Sequence, residues 1–373
     1  MSKSYTPGLK VLEDTKVIKE RLLPLKGKVR VKQNDIVESN TIVASTEIPG
    51  NVHMMNVSNE LNIDVDQVES CMAVKINEDV KCNQIIAQSK GLFGYFKSDI
   101  KSPIDGKIIN ISNITGQVVI SENPLPINID AYIPGEIRNV YQEEGVLIGT
   151  NGTFIQGIIG IGGEKQGRMK VLVDNPSEHI KVSDITDDLE NTIIVCGSFI
   201  DLEIYQKAKK VGVKGIVCGG IDYNSISTIL GYSLGVAITG TEDTTTLILT
   251  EGFGEIDMAL RTFNILKANN DKDVSINGAT QIRAGVLRPE IFIKSDKVDH
   301  SKEFSEDDLV ISEGSNVRVI REPYFGKIGK IVSLPYELVE MSSETKVRVA
   351  EIEFEDKTKE IIPRANLEVI LSN

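Results

Sequence analysis

Short stretches of alternating apolar and polar residues fill the first part of the chain, and continuous apolar runs replace them after about residue 190. An alternation with a period of two predicts half-buried β-strands, whereas short continuous apolar runs are typical of fully buried strands. The pattern therefore predicts a β-rich N-terminal region followed by an α/β region.

An internal repeat lies in the alternating region. VKQNDIVESNTIVA (31–44) aligns without gaps on VKINEDVKCNQIIA (74–87), and seven of the fourteen positions are identical. The shared asparagines favour tight turns, because Asn tolerates positive φ better than other non-glycine residues. These asparagines are Asn34, Asn40, Asn77 and Asn83. Each copy is thus predicted to form a strand, a turn and a short strand.

Corners containing Pro and Gly follow both copies: EIPGN (47–51) after the first and SPIDG (102–106) after the second, with a third at YIPGE (132–136). Over about residues 22–120 this series resembles the biotinyl and lipoyl carrier fold, the barrel-sandwich hybrid, with Asn where that family usually has Gly. It is also similar to the N-terminal region of the C subunit of Rnf-type electron-transport complexes. The cysteine runs that hold iron–sulfur clusters there are absent here.

The carrier resemblance places a modified Lys at the tip of a hairpin, which here reads GLFGYFKSD (91–99) with Tyr95 at the tip. Lys97 stands two residues out of register, so we expect no covalent biotin or lipoate and no other cofactor. Large apolar side chains occupy the tip instead, namely Leu92, Phe93, Tyr95 and Phe96. They predict either a docking knob for a partner or packing against a neighbouring unit of the same chain.

Three apolar runs predict the strands of a parallel sheet: TIIVCG (192–197), KGIVCGG (214–220) and GVAITG (235–240). Apolar residues at helical spacing between the first two predict a βαβ unit. TTLILT (245–250) and a helix carrying Ala259, Phe263 and Leu266 extend the sheet, and DVSIN (273–277) and EIFIK (290–294) are predicted edge strands.

Parallel sheets bind ligands beyond the carboxyl ends of their strands, so this crevice is the candidate small-molecule site. Its residues are Gly197, Ser198, Gly219, Gly220, Asp222, Gly240, Thr241 and Glu242. Glycine at strand ends is equally what tight turns require, and no GxGxxG or GxxxxGK[ST] motif is present. The region also resembles the swivelling phosphohistidine domain, but Asn224 stands in the place of its phosphorylated His.

The segment EGSNVRVIREPYFGKIGKIVSL (313–334) resembles a KOW motif, with Gly314, Gly326 and Gly329 in the expected places. The resemblance implies a small SH3-like barrel that contacts RNA or protein, as in ribosomal proteins and NusG-type elongation factors. The candidate docking residues are Arg318, Arg321, Lys327 and Lys330. From residue 312 onward nine Lys or Arg face eleven Asp or Glu, so a protein partner is favoured over RNA, and a purely structural barrel remains the third interpretation.

Composition narrows the class of protein. The net charge of −13 disfavours a protein that mainly coats nucleic acid. No apolar stretch predicts a membrane span or secretory signal, and four dispersed cysteines with three histidines predict no metal site, so we expect a cytoplasmic protein.

The predicted organisation is a multi-domain, mainly β chain with a central α/β domain. Its parts are a basic arm (1–21), barrel-sandwich repeats (22–135), a β extension with an acidic linker (136–190), an α/β domain (191–295), a second acidic linker (296–311) and the KOW barrel (312–373). No catalytic constellation can be assembled from the sequence. The expected function is a non-enzymatic adaptor that binds a protein partner, with RNA, the ribosome or RNA polymerase as possible partners. The alternative is a ligand-binding accessory subunit of a cofactor-dependent enzyme that uses the glycine-rich crevice.

Overall fold

The structure is a computed structural model of the chain, and strand content far exceeds helix content in it. It describes residues 9–89, 98–232, 237–238, 244–281, 287–296, 311–319, 323–324, 327–341, 346–354 and 356–371. The strands form several sheets, the largest of which is a mixed central sheet.

The N-terminal region contains twelve strands and two short helices within the described residues. The strands are β1 (Leu9–Leu22), β2 (Lys28–Val29), β3 (Ile36–Val37), β4 (Ile42–Ile48), β5 (Val52–Asn56), β6 (Asp79–Val80), β7 (Ile85–Gln88), β8 (Asp99–Lys101), β9 (Gly106–Ile111), β10 (Gln117–Glu122), β11 (Leu125–Asp130) and β12 (Gly135–Tyr141). The helices are α1 (Val57–Leu61) and α2 (Val68–Cys71), with a 3₁₀ turn at Val65–Gln67.

One unit of this region is inserted into another. β4 pairs with β11, and Ile48 lies opposite Leu125, so residues 49–124 leave and rejoin the chain at neighbouring positions. This inserted unit has its own sheet, in the order β5-β10-β9-β6, and its own apolar core. A second core, around Val43 and Ile137, belongs to the surrounding first unit, built from β2 to β4 with β11 and β12.

The two sequence repeats occupy equivalent places in these two units. Val37 of the first copy pairs with Gly135, and Val80 of the second pairs with Gly106. The first copy therefore pairs with the third Pro-Gly corner and not with the corner that follows it in sequence. The two repeats contribute to separate cores, because the inserted unit separates the first copy from its partner strands.

The predicted asparagine turns are confirmed at three of four positions. Asn34, Asn77 and Asn83 have φ values of 68°, 70° and 67°. The backbone N–H of Asn34 donates to the carbonyl of Ile137 at 2.8 Å, and that of Asn77 donates to Ile108 at 2.7 Å. Asn40 has no positive φ, so its turn differs from that of its counterpart Asn83.

The central region contains eleven strands and three helices within the described residues. The strands are β13 (Gly145–Gln156), β14 (Ile159–Ile161), β15 (Glu164–Val171), β16 (Ile193–Val195), β17 (Phe199–Ile200), β18 (Gly215–Ile221), β19 (Ala237–Ile238), β20 (Thr246–Phe253), β21 (Asp273–Asn277), β22 (Thr280–Gln281) and β23 (Glu290–Lys294). The helices are α3 (Leu202–Val211), α4 (Tyr223–Leu230) and α5 (Leu260–Ala268), with 3₁₀ turns at Val182–Asp184 and Asp187–Leu189.

The strands of the central sheet close into a ring. β16, β18 and β20 run parallel, β20 pairs antiparallel with β14, and β15 pairs with both β16 and β21. β21 continues to β23, and β23 to β13, which precedes β14 by two residues. The interior is apolar and holds the largest core of the chain.

This arrangement confirms the predicted βαβ unit, in which α3 connects the parallel strands β16 and β18. Asp201 caps α3, accepting a hydrogen bond from the backbone N–H of Ile204, and Gly212 ends the helix at φ 90°.

Three details of the central sheet differ from the sequence-based expectation. β21 and β23 are interior strands rather than edges, and β19 pairs with β22 outside the parallel set. The sheet also continues across residue 190, because β15 pairs with β16.

The C-terminal region contains seven strands within the described residues. They are β24 (Asn316–Val319), β25 (Ile328–Ser333), β26 (Val339–Glu340), β27 (Lys346–Val347), β28 (Val349–Phe354), β29 (Lys359–Pro363) and β30 (Leu367–Leu371), with a 3₁₀ turn at Arg364–Asn366. Five of them form an antiparallel sheet in the order β29-β28-β25-β24-β30. β30 also pairs in parallel with the start of β1, which joins this sheet to the rest of the molecule.

Candidate functional sites

The glycines at the carboxyl ends of the parallel strands lie against neighbouring backbone. A Cβ on Gly219 would stand 2.1 Å from the carbonyl oxygen of Ile256, and one on Gly220 would stand 2.1 Å from that of Gly254. A Cβ on Gly197 would stand 2.3 Å from the carbonyl oxygen of Glu178. These glycines are needed for close backbone packing.

The polar residues of the predicted crevice are engaged locally. The Ser198 hydroxyl is fully buried and donates to the carbonyl of Ser177 at 3.2 Å. The Asp222 carboxylate caps α4 by accepting from the backbone N–H groups of Asn224 and Ser225. The remaining predicted residues, Gly240, Thr241 and Glu242, lie outside the described residues.

The predicted docking residues of the second repeat also lie outside the described residues. These docking residues are Leu92, Phe93, Tyr95 and Phe96. Lys97 lies outside the described residues as well.

Arg318 of the C-terminal sheet does not face solvent. It is 4% exposed and lies between two carboxylates: it is ion-paired with Glu251 of the central sheet, and its Nη2 donates to Glu368 at 2.9 Å. Arg288 also pairs with Glu368. This guanidinium therefore connects the central and C-terminal sheets and is not presented to a phosphate.

The remaining basic residues predicted to dock a partner are Lys327, Lys330 and Arg321. The Lys327 ammonium lies 5.2 Å from the centre of the Phe354 ring and 5.7 Å from that of Tyr324. Lys330 is exposed on β25, and Arg321 lies outside the described residues. The three described members of this group, Arg318, Lys327 and Lys330, thus do not form one exposed basic face, because Arg318 is buried.

Three large apolar side chains of the C-terminal region are exposed instead. Tyr336 and Leu338 lie between β25 and β26, and Ile361 lies on β29, with exposed fractions of 88%, 56% and 55%. We take these three residues together as a candidate surface. Arg364, directly after β29, donates from Nη2 to the carbonyl of Pro335 at 3.0 Å and so fixes the residue before Tyr336. The only sequence signal for this surface was the run LPYEL (334–338), which places apolar side chains next to a turn-forming proline.

Two buried thiols lie side by side in the central ring. Cys196 and Cys218 are fully buried, and the backbone N–H of Cys196 donates to Val217 at 2.9 Å. Burial raises the pKa of both thiols, and the neighbouring Cys218 raises that of Cys196 further. Such thiols act as small core hydrophobes and not as nucleophiles.

Among the described residues, no group of three or more His, Cys, Asp or Glu side chains is placed to hold a metal ion. No helix in the described ranges has the length and apolar character needed to cross a bilayer.

Comparison with family models and curated proteins identifies no relative of this chain. No family model matches this chain, and a search of curated proteins finds no match.

Proposed function

We propose that this chain is a non-enzymatic adaptor whose C-terminal sheet, a KOW-like SH3-type module, docks a protein partner through the exposed apolar surface of Tyr336, Leu338 and Ile361. The observation that carries the proposal is the 88% exposure of Tyr336 beside a backbone that Arg364 anchors. Tyrosine is enriched among the residues that dominate binding energy at protein interfaces.

A fixed, preformed surface of this kind favours binding. Burying one large side chain in an interface contributes roughly 1.5–3 kcal/mol, and preorganisation reduces the ordering cost that opposes it. The Arg364 hydrogen bonds to Pro335 and Val349 supply that order before a partner arrives.

Charge supports a protein partner over RNA. Within the C-terminal region acidic residues outnumber basic ones, and the Arg318 guanidinium is already paired with two carboxylates. RNA binding depends on cations that are free to displace counterions from phosphates. The KOW resemblance directs the search for the partner to proteins of the transcription and translation machinery, by analogy of fold alone.

The two N-terminal units act in this proposal as unmodified carrier-like spacers of the barrel-sandwich type. No biotin or lipoate is attached, because the tip sequence lacks the Met-Lys-Met pattern. The tip residues Phe93 and Tyr95 are proposed as a second, separate docking point.

The ligand-binding alternative has less support. In that alternative Gly219 and Gly220 would line a ligand crevice. Each of them lies against neighbouring backbone, because a Cβ there would stand 2.1 Å from the carbonyl oxygen of Ile256 or of Gly254.

The proposal is tested by affinity capture from native extract with three forms of the full chain. The wild type is compared with a Tyr336→Ala, Leu338→Ala double variant and with Ile114→Ala, a control that removes an 89% exposed isoleucine from the inserted unit. We expect one set of proteins to be retained by the wild type and the control and lost from the double variant. Equal retention by all three forms would exclude this surface as the docking site.

A further inference from the structure

The sheet of the inserted unit has an exposed edge at β5. The strand order is β5-β10-β9-β6, and within the described residues β5 pairs with β10 alone. The side chains of Val52 and Met54 on β5 are 56% and 70% exposed. This edge therefore presents both backbone and large apolar side chains to solvent.

The pairing register shows which backbone groups point outward from this edge. The N–H of Glu122 donates to the carbonyl of Asn51 at 2.8 Å, so the backbone groups of Asn51 face β10. These directions alternate along an antiparallel strand, and the pairing of β5 with β10 has no register shift. His53 and Met55 therefore also face β10, whereas the backbone N–H and C=O groups of residues 52, 54 and 56 point away from the sheet.

β5 carries none of the features that commonly protect an edge strand. Such edges carry lysine or other charges, proline or a bulge, each of which hinders pairing with another strand. The β5 sequence is VHMMN (52–56), and its single titratable side chain, His53, lies with Nε2 3.5 Å from Oε1 of Glu122. The edge is thus suited to the addition of another strand.

The opposite edge of the same sheet is protected. β6 has only two residues, and the side chain of Asp79 on it is 80% exposed, with Lys107 3.9 Å away. A contact between β5 of one molecule and β6 of the next would build an open filament, and the short, charged β6 disfavours it. Pairing between two β5 edges instead closes at two copies.

The residues of β5 fit a second copy of the same strand. The outward-facing positions 52, 54 and 56 are symmetric about Met54, so a two-fold axis there sets Met54 against Met54 and Val52 against Asn56 of the second copy. No like charges face each other in this pairing. The net charge of −13 opposes contact between two copies at charged surfaces, and a strand without carboxylates is where they can approach.

We propose that two copies of this chain associate by antiparallel pairing of their β5 strands, so that the two four-stranded sheets become continuous. Five residues a side are fewer than the roughly 20–30 of a stable interface, so the dimer forms reversibly and depends on concentration. This interface is separate from the docking surface of the C-terminal sheet.

The test is sedimentation velocity of the full chain over a range of concentrations. The wild type is compared with Met54→Lys, with Met54→Asp and with Ile114→Lys, a control at an 89% exposed isoleucine of the same unit. We expect the wild type and the control to dimerise equally. Met54→Lys and Met54→Asp should each weaken dimerisation about a hundredfold, because like charges then meet at the two-fold axis. An equimolar mixture of these two variants should restore it, because opposite charges then meet.

A second measurement on the wild type does not depend on the folding of any variant. Amide hydrogen exchange in residues 52–56 should slow as the concentration of the chain rises, while exchange in residues 359–363 of the C-terminal sheet should not change. A wild type that stays monomeric, a mixture that associates no more tightly than either Met54 variant alone, or concentration-dependent protection in residues 359–363 without protection in residues 52–56 would each overturn the proposal.

Discussion

Arg318 shows how one side chain sets the relation between two sheets. Its strand neighbours Val317 and Val319 point into the C-terminal core, so Arg318 points out of that sheet and toward Glu251 of the central sheet. A buried ion pair contributes little net stability, because desolvation offsets the attraction, but it penalises arrangements in which either charge loses its partner. We therefore infer that Arg318 fixes the orientation of the C-terminal sheet.

Arg318→Ala should lower the free energy of unfolding by about 3–5 kcal/mol, because it leaves the buried Glu251 carboxylate without its cation and removes one of the two arginines paired with Glu368. Urea denaturation measures the effect. The control is Lys330→Ala, on the exposed face of the same sheet, which should change stability by no more than about 0.5 kcal/mol. Similar values for the two variants would contradict the role assigned to Arg318.

The buried thiols make stability depend on pH in the alkaline range. Their pKa values are raised in the folded state, so the folded thiols stay protonated while those of the unfolded chain ionise above about pH 8.5. Ionisation stabilises only the unfolded chain. Stability is therefore fully present below that pH and decreases above it, by about 1.4 kcal/mol per pH unit for each thiol.

A Cys196→Ala, Cys218→Ala double variant should lose this dependence. Urea denaturation between pH 9 and pH 10 should show a decrease for the wild type that is steeper than for the variant by about 2.7 kcal/mol per pH unit. The other titrating groups are common to both proteins and cancel in the comparison. Equal slopes would mean that the two thiols ionise as easily in the folded as in the unfolded chain.

At the scale of elements, local patterns predicted the strands well and their partners poorly. The repeat and the turns at Asn34, Asn77 and Asn83 depend on residues close in sequence, and they could be predicted. The partner of the first copy lies about a hundred residues away at Gly135, beyond a whole inserted unit, and no local pattern specifies that choice. The βαβ unit was predictable for the same reason as the turns, because its helix and its two parallel strands are close together in sequence.

The nested arrangement predicts that the inserted unit can be removed. Residues 49–124 should be replaceable by an Asn-Gly turn that joins Ile48 to Leu125, because these residues already pair across β4 and β11. The shortened chain should keep a cooperative unfolding transition and the capture properties of the C-terminal sheet. Loss of folding after this excision would show that the first unit depends on the inserted one.

At the scale of the whole molecule, pairing between distant segments decides both the architecture and the candidate sites. β1 pairs with the central ring and with the C-terminal sheet, and its Arg21 bonds to Asp130 of the first unit, so one strand contacts all three parts. The sequence marked Arg318 as a surface cation because its partner Glu251 lies 67 residues away. The backbone that packs against the glycines at 197, 219 and 220 comes from other loops, and no local pattern specifies these contacts.

The central claim, that the chain docks a protein through its C-terminal sheet, is tested most directly by amide hydrogen exchange on the full chain, alone and bound to the captured partner. The account predicts slower exchange on binding in residues 334–341 and 359–363, around Tyr336 and Ile361, and no change in residues 197–222. Slower exchange confined to residues 197–222, with the C-terminal sheet unaffected, would contradict it.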